Sequence, residues 1–462
     1  MAGAAAGSAL RGRAEERRTN IVFVLTDDHG AWAMHCYGCR DIQTPNLDRL
    51  AAGGARFTRA YACTPVCSPS RMTYFTGKLP CHHGVQDWLL SDELREPSPV
   101  RYLDGQTTFS EVLAMNGYAL GQCGKWHMGG DEKAQAGFTS WSTVPGGGGP
   151  YKDAVFIRDG RHVQTRGFKD DFTADYAIEF IERNRSRPFC LYTAFYSPHI
   201  PYDFQPEQDR APYLNSRFPC MPDEPVHPWG TGGNRQQLSV PNRKLAYSAL
   251  VTAMDRNVGR IVARLEALGL RENTVIVFTA DQGHCSGHHG LWGKGNATLP
   301  LNMYEESLHI PLIWNQPGHI RPGQVLSPLV SSYDFFPTLL DYAGVQAPED
   351  RKRVGRSYAA FLRGQAPHWR NELYFEYEYV RGIRTENLKY VERAEGWPSE
   401  LFDLESDPGE RRSVLGDPRR ARELGALRGR LAQFFDRAGA PPLAAWRSTT
   451  RQRLPEYSRT KI

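Results

Sequence analysis

The feature that most constrains this chain's fold is a set of continuous apolar runs that end in polar, chemically capable residues. Asn20-Ile21-Val22-Phe23-Val24-Leu25-Thr26 passes straight into Asp27-Asp28. An unbroken run rich in branched residues suits a central parallel strand covered on both faces. Further strand candidates are Tyr118-Ala119-Leu120, Pro188 through Phe195, Asn273 through Thr279 and Ile310 through Trp314. Helical segments lie between them. The clearest runs from Arg243 to Leu268: Leu245, Ala249, Ala253, Val258, Ile261, Leu265 and Leu268 recur at helical steps, and Gly269 stops it. Strands alternating with helices predict an α/β fold, a mostly parallel central sheet sandwiched by helices.

The rhythm changes near Gly344. Leu373 through Glu378, Arg381 through Thr385 and Leu388 through Val391 read as an antiparallel meander, Glu400 through Leu404 adds a strand, and 418–436 reads as helix. The expected division is a disordered leader (1–18), a catalytic α/β domain (19–345), a smaller C-terminal α+β subdomain with an antiparallel sheet (346–440) and a tail (441–462). Two stretches are expected to be irregular and to wall a cleft. They are Pro145-Gly146-Gly147-Gly148-Gly149-Pro150 and the Pro/Gly/Asn-rich segment from Tyr202 to Pro241.

Bulk properties exclude more than they specify. The net charge is only +5, with no dense Lys/Arg block, which argues against nucleic acid and fits an anionic substrate. No apolar run reaches the length of about 18 residues that a membrane span needs. Residues 1–18 lack the apolar core of a secretory signal, and the nine cysteines are odd in number and irregular in spacing. A cytoplasmic location is the expectation. Cys36 and Cys39 have metal or redox spacing, but no second pair stands at zinc-finger distance.

Several candidate strands end in residues that can do chemistry. The first runs into Asp27-Asp28, the one near residue 120 into Gly124-Lys125-Trp126-His127, the one ending at Phe195 into Ser197-Pro198-His199, and the one ending at Thr279 into Asp281-Gln282. Open α/β sheets bind ligands outside the carboxyl ends of their strands. Asp27, Asp28, Asp281 and the Gln282 amide offer an all-oxygen set suited to Ca²⁺ or Mg²⁺ rather than zinc; taken singly, Asp27-Asp28 also reads as a helix cap or an exposed turn. Cys67 opens a helix, where free N–H groups and the dipole favour negative charge. Arg71 lies one turn on, along the same face. Lys125 and His127, two apart in an extended segment, are expected to point the same way toward one anion. His199, between Pro198 and Pro201, suits a general acid, and Lys294 in Gly293-Lys294-Gly295 suits an anion clamp. His82-His83, His284 and His288-His289 read as structural or supporting groups.

Cys67-Ser68-Pro69-Ser70-Arg71 resembles the signature of type I sulfatases, and its company resembles that family too: Thr26-Asp27-Asp28, Thr44-Pro45-Asn46-Leu47-Asp48, Gly124-Lys125-Trp126-His127, Thr279-Ala280-Asp281 and Tyr304-Glu305-Glu306-Ser307. The resemblance runs from Asn20 to about Leu415. It implies an alkaline-phosphatase-like fold and conversion of Cys67 to formylglycine by a formylglycine-generating enzyme. It also implies a divalent cation, usually Ca²⁺ with Mg²⁺ or Mn²⁺ as alternatives, held by Asp27, Asp28, Asp281, Gln282 and the modified Cys67. In that family a hydroxyl of the formylglycine hydrate attacks sulfur. By the same resemblance Arg71 and His127 position the hydrate, Lys125, His199 and Lys294 bind the sulfate, and His199 protonates the departing alcohol. Two features depart from the pattern: Gln282 stands where relatives commonly carry Asn, Asp or His, and Gly295–Met303 sets Lys294 further from Tyr304 than in compact relatives.

The sequence thus predicts a sulfuric ester hydrolase acting on an anionic sulfate ester, a small organic or a carbohydrate sulfate. A phosphonate monoester hydrolase or phosphodiesterase on the same machinery is the alternative, and a non-catalytic binding module is a third reading. An oligomer is compatible with the sequence.

Overall fold

A computed structural model describes residues 18–89, 100–394 and 396–443. The leader, except Arg18, and the tail beyond residue 443 therefore lie outside the described residues. The main sheet contains β1 (Asn20–Thr26), β2 (Ala55–Tyr61), β3 (Ala119–Gly124), β4 (Ser140–Thr143), β5 (Val155–Arg158), β6 (Arg161–Gln164), β7 (Phe189–Ala194) and β8 (Thr274–Ala280). After a short hairpin, β9 (Cys285–Ser286) and β10 (Trp292–Gly293), the sheet gains β11 (His309–Asn315), β12 (Gln324–Leu326) and β13 (Val330–Ser331). The strand order is β12-β2-β11-β8-β1-β7-β3-β4-β5-β6, with β13 also on β2. Its centre, β8-β1-β7-β3-β4, is parallel throughout, whereas β11 runs antiparallel to both neighbours.

β1 is central, as its composition predicts. Ile21, Phe23 and Leu25 enter the core on one face, and Val22 and Val24 enter the core on the other, the alternation a pleated strand imposes. Phe23 stacks on Phe335 at 4.3 Å between ring centres and meets Tyr192 at 5.4 Å. The first face is covered by the helices Cys67–Thr76, Phe109–Met115 and Phe335–Tyr342. The second is covered by Lys169–Asn184 and by the long helix Arg243–Ala267, which buries Tyr247, Val251, Met254, Val258, Ile261 and Leu265. Pro337 is tolerated inside Phe335–Tyr342 because it is the third residue, where the N–H has no intrahelical acceptor.

The second sheet, β14 (Leu373–Tyr377), β15 (Val380–Arg384), β16 (Leu388–Arg393) and β17 (Glu400–Asp403), is an antiparallel meander packed against the helix Ala421–Arg437. Buried charge joins it to the main sheet. Glu305 accepts from Tyr61 Oη at 2.5 Å and pairs with Arg384 and Lys389 at 3.2 Å each. This gives Glu305 a structural task.

One expectation needs correction. The stretch Tyr202 to Pro241 is not irregular throughout: it contains the helices Glu207–Arg210 and Gly232–Leu238, the second capped by Thr231, whose Oγ1 accepts from Asn234 N at 3.2 Å. Pro145–Gly147 forms a tight non-helical turn, as its composition predicts, because Gly146 and Gly147 adopt φ 65° and 67° in the left-handed region. Several strands escape a search for apolar runs. The β5–β6 hairpin turns at Asp159-Gly160, both with positive φ, the backbone a two-residue hairpin loop demands.

Candidate active site

The parallel registers β1–β7, β1–β8 and β3–β7 end at one edge of the sheet. The residues that follow each strand are therefore neighbours in space. Gly124 makes the last step possible, since it has φ 90° and any Cβ there would clash with the Ala194 carbonyl oxygen.

Cys67 is the first residue of a ten-residue helix that is buried along its whole length. Its Sγ lies 3.8 Å from Lys294 Nζ. Burial pushes the thiol up, against the pull of Lys125 and Lys294. One turn on, Arg71 is fully buried and fully partnered. It donates to Asp281 Oδ2 at 2.7 and 2.9 Å, to Asp27 Oδ2 at 3.2 Å, to the Lys125 carbonyl at 3.0 Å and to Tyr192 Oη at 3.2 Å. Arg71 thus cross-links the ends of β1, β3 and β8 beneath the site.

Asp27 also pairs with Lys125, and Asp28 pairs with Lys294 at 2.6 Å. Burial raises both carboxyls, but Lys125, His199, Lys294 and Arg71 hold Asp27 well below the usual range, and Lys294 and His199 lower Asp28 as well. Asp281 behaves differently: burial and the Asp27 charge push it up to about 7 despite Arg71. Three cations, Arg71, Lys125 and Lys294, face these three buried carboxylates, and Asp281 is the one whose charge remains least favoured.

The donor set fits a hard divalent cation. Ligand atoms of Asp27, Asp28 and His199 lie within 4.8 Å of one another. Asp281 is outside that triplet; its Oδ2 is held by Arg71, and its Oδ1 accepts from Asp28 N and Gln282 N at 3.3 and 2.9 Å. Gln282 reaches the same carboxylates. Its Nε2 donates to Asp28 Oδ1 at 2.6 Å, and its Oε1 is buried with no partner. An orphaned amide oxygen is costly unless something takes it, and a half-turn of the amide would present it to an ion.

The imidazoles stand around this centre. His199 Nε2 lies 3.6 Å from Asp28 Oδ2, and burial lowers the ring to about 4 even with Asp27 and Asp28 near. His127 adopts φ 58°, so the segment is a left-handed turn and not the extended one expected from the Lys125/His127 spacing. The two side chains still reach one cavity, because the turn, not strand alternation, aims them. His127 Nε2 bonds the Leu89 carbonyl at 3.0 Å, and Nδ1 is buried without a partner. Gly147 packs on this ring; a Cβ there would sit 2.6 Å from it.

Asp28, Cys67, Lys125, His127, His199 and Lys294 line a cavity of 480 Å³, whereas Asp27, Arg71, Asp281 and Gln282 are not among its lining residues. The β9–β10 hairpin brings Lys294, the residue that follows it, to this cavity. The Gly146–Gly148 loop and the helix Gly232–Leu238 form walls, through Gly233, Asn234 and Gln237. Sequence reasoning missed Trp88, Tyr196, Trp292 and Asn296 as lining residues, and gave His284 only a supporting role though it lines the cavity. It also missed Lys169, whose Nζ donates to Gly149 O at 2.7 Å and sits 3.7 Å over the Tyr196 ring, and which burial lowers to about 7. His83, with Thr73 Oγ1 at 3.2 Å, and His289, with Glu306 at 3.0 Å, lie outside the cavity. All nine cysteines are free thiols, and Cys39 groups with Asp41 and Cys220 rather than Cys36. Among the described residues no helix is long and apolar enough to cross a membrane.

Residues 19–345 match the sulfatase family model. The chain belongs to the sulfatase family. Residues 287–436 also match the model described as N-sulphoglucosamine sulphohydrolase, C-terminal. An N-acetylglucosamine-6-O-sulfatase of Bacteroides thetaiotaomicron is 30% identical, over 87% of this chain and 83% of its own length. Human arylsulfatase A is 29% identical, over 88% and 85%. A solved structure of a protein in complex with its substrate D-glucosamine-2-N,6-O-disulfate superposes with a TM-score of 0.79 at 28% identity, covering 93% of this chain and 100% of that one. This sulfatase is a sulfuric ester hydrolase with the alkaline-phosphatase-like fold.

Proposed function

We propose that this sulfatase removes sulfate from a sulfated amino sugar, with Cys67 as the precursor of the nucleophile. The observation that carries the reading is the floor of the cavity: a helix-start cysteine 3.8 Å from a lysine that is itself 2.6 Å from Asp28. The walls add amides at Asn234, Gln237 and Asn296 and rings at Trp88 and Trp292, groups that suit hydroxyls and the flat face of a sugar. Relatives named for glucosamine sulfates support the choice of substrate.

Conversion of Cys67 to formylglycine would supply an aldehyde hydrate as nucleophile, and a divalent cation held by Asp27, Asp28, Asp281 and Gln282 would supply positive charge at the sulfuryl oxygens. The chain's own residues do the rest. The N-terminal N–H groups of helix Cys67–Thr76 favour negative charge at residue 67. Lys125 and Lys294 bind the sulfate, and their positive charge is pre-placed for the charge that builds as the ester bond breaks. Arg71 holds Asp27 and Asp281 in place. The unpartnered His127 Nδ1 is free to orient the nucleophilic oxygen. His199 faces the leaving side and delivers a proton to the departing oxygen; bound sulfate raises its proton affinity, opposing the effect of burial.

The substrate reading is tested by specificity constants on N-acetylglucosamine-6-O-sulfate, an aryl sulfate and a matched aryl phosphonate. The sugar sulfate is expected to lead by about 100-fold, the equivalent of about 2.7 kcal/mol of transition-state binding. A faster phosphonate would move the reaction to phosphorus, and a faster aryl sulfate would remove the sugar. The acid role has its own test. His199→Ala is expected to slow esters of poor leaving groups by about 10²–10⁴-fold and activated aryl esters far less; an equal loss on both would assign His199 to binding alone.

A further inference from the structure

A second cavity of 520 Å³ lies away from the catalytic one and shares no lining residue with it. Arg351, Arg353, Arg356, Arg370, Arg437 and His368 line it, against a single carboxylate, Glu372. That carboxylate is already satisfied, by Arg370 at 2.5 Å and Arg430 at 3.1 Å. Neighbouring acids are engaged elsewhere: Asp350 with Lys78 at 3.0 Å, Asp341 with Arg363 at 2.8 Å, and Asp334 with the Arg356 backbone N–H at 2.8 Å. Arg353 serves the fold, donating to Thr76 O at 2.9 Å and lying 4.2 Å from the Phe336 ring centre. Arg351 and Arg437 are exposed, and among the described residues neither has an acidic partner within 4.0 Å. Half-buried Phe434, stacked on Tyr374 at 3.7 Å, adds an apolar wall.

The position is remote. Arg353 grips the last residue of the helix that Cys67 begins. At about 1.5 Å per residue that helix carries the cavity some 13 Å from the nucleophile, through the core.

We propose that this cavity is a second binding site for sulfated saccharide, which holds a sulfate-bearing segment of a polymer outside the catalytic pocket. Guanidinium groups present paired N–H donors that match a tetrahedral oxyanion and are weakly hydrated, so they give up water readily to bind it. Five of them around one neutralised carboxylate focus positive potential in a concave site. A cavity of this size holds one or two sugar units. The site goes beyond the hydrolytic reaction and stands whether or not the ester cleaved is a glucosamine sulfate.

The test measures binding of dextran sulfate, unsulfated dextran, inorganic sulfate and polyadenylate RNA to the full chain. The wild type is compared with the double variant Arg351→Gln/Arg437→Gln and with Arg351→Glu. Dextran sulfate is expected to bind the wild type in a salt-sensitive way. The double variant is expected to lose about 10-fold or more in affinity, and the charge reversal a similar amount, with unfolding temperature and turnover of a monomeric sulfate ester unchanged. Unchanged affinity in both variants would overturn the proposal. So would equal binding of RNA, since the cavity would then read charge density alone, and so would inorganic sulfate bound as tightly as the polymer and weakened equally by both variants.

Discussion

Cys67→Ala is expected to lower kcat by about 10⁴-fold or more while the protein stays folded. Removing the proposed precursor of the nucleophile from a concerted constellation leaves only binding and preorganised charge, and these alone recover little of the rate. The fold should tolerate the change because the side chain is small and Arg71, not Cys67, ties the strand ends together. Turnover of a sulfate ester, read alongside the unfolding temperature, checks both halves. Full activity in the variant would remove Cys67 from the chemistry. Mass spectrometry of the peptide spanning Cys67 in the wild type asks the companion question, whether an aldehyde replaces the thiol.

Arg71→Met should damage both stability and activity. The guanidinium is buried between Asp27 and Asp281, with direct bonds of 2.7 to 3.2 Å to the two carboxylates. Its loss leaves two buried carboxylates without that partner, and breaking a buried pair this way costs about 3–5 kcal/mol. At roughly 2 cal/mol/K of unfolding entropy per residue, a chain of this length loses about 1 °C per kcal/mol, so a fall in Tm of about 3–5 °C is expected. Activity should fall as well, because Asp27 and Asp281 belong to the proposed cation site. Arg71→Lys keeps the charge but not the planar fork and should recover part of the stability. A Met variant with wild-type Tm would mean that the carboxylates are balanced by something other than Arg71.

Much of the site is legible in the sequence because each piece is local. A strand that must be buried on both faces is written as an apolar run, and its polar end marks where it leaves the core. The residues after β1, β3, β7 and β8 stand out this way, and Cys67 by its place before a helix. Other elements carry weaker signals. β2 is written Ala-Arg-Phe-Thr-Arg-Ala-Tyr, an alternation that a search for continuous runs passes over, and the β5–β6 hairpin is marked only by Asp159-Gly160.

The conformation of His127 is not readable in the same way. A spacing of two implies a common direction only in extended backbone, and a left-handed residue breaks that rule. Gly147 shows the reason: the ring packs where a neighbouring loop has no side chain.

By itself, the sequence determined the class of fold, the edge of the sheet where the candidate site lies, and the residue types gathered there, because periodicity and strand ends are local properties. Only the tertiary structure decided how those residues share charge. Sheet register set Asp27 beside Asp281, and folding of the β9–β10 hairpin laid Lys294 against Asp28 and Cys67. The arginine-lined cavity arises likewise from segments some 80 residues apart that meet only when the second sheet and its helix pack. Such arrangements depend on long-range contacts, which no local pattern of residues encodes.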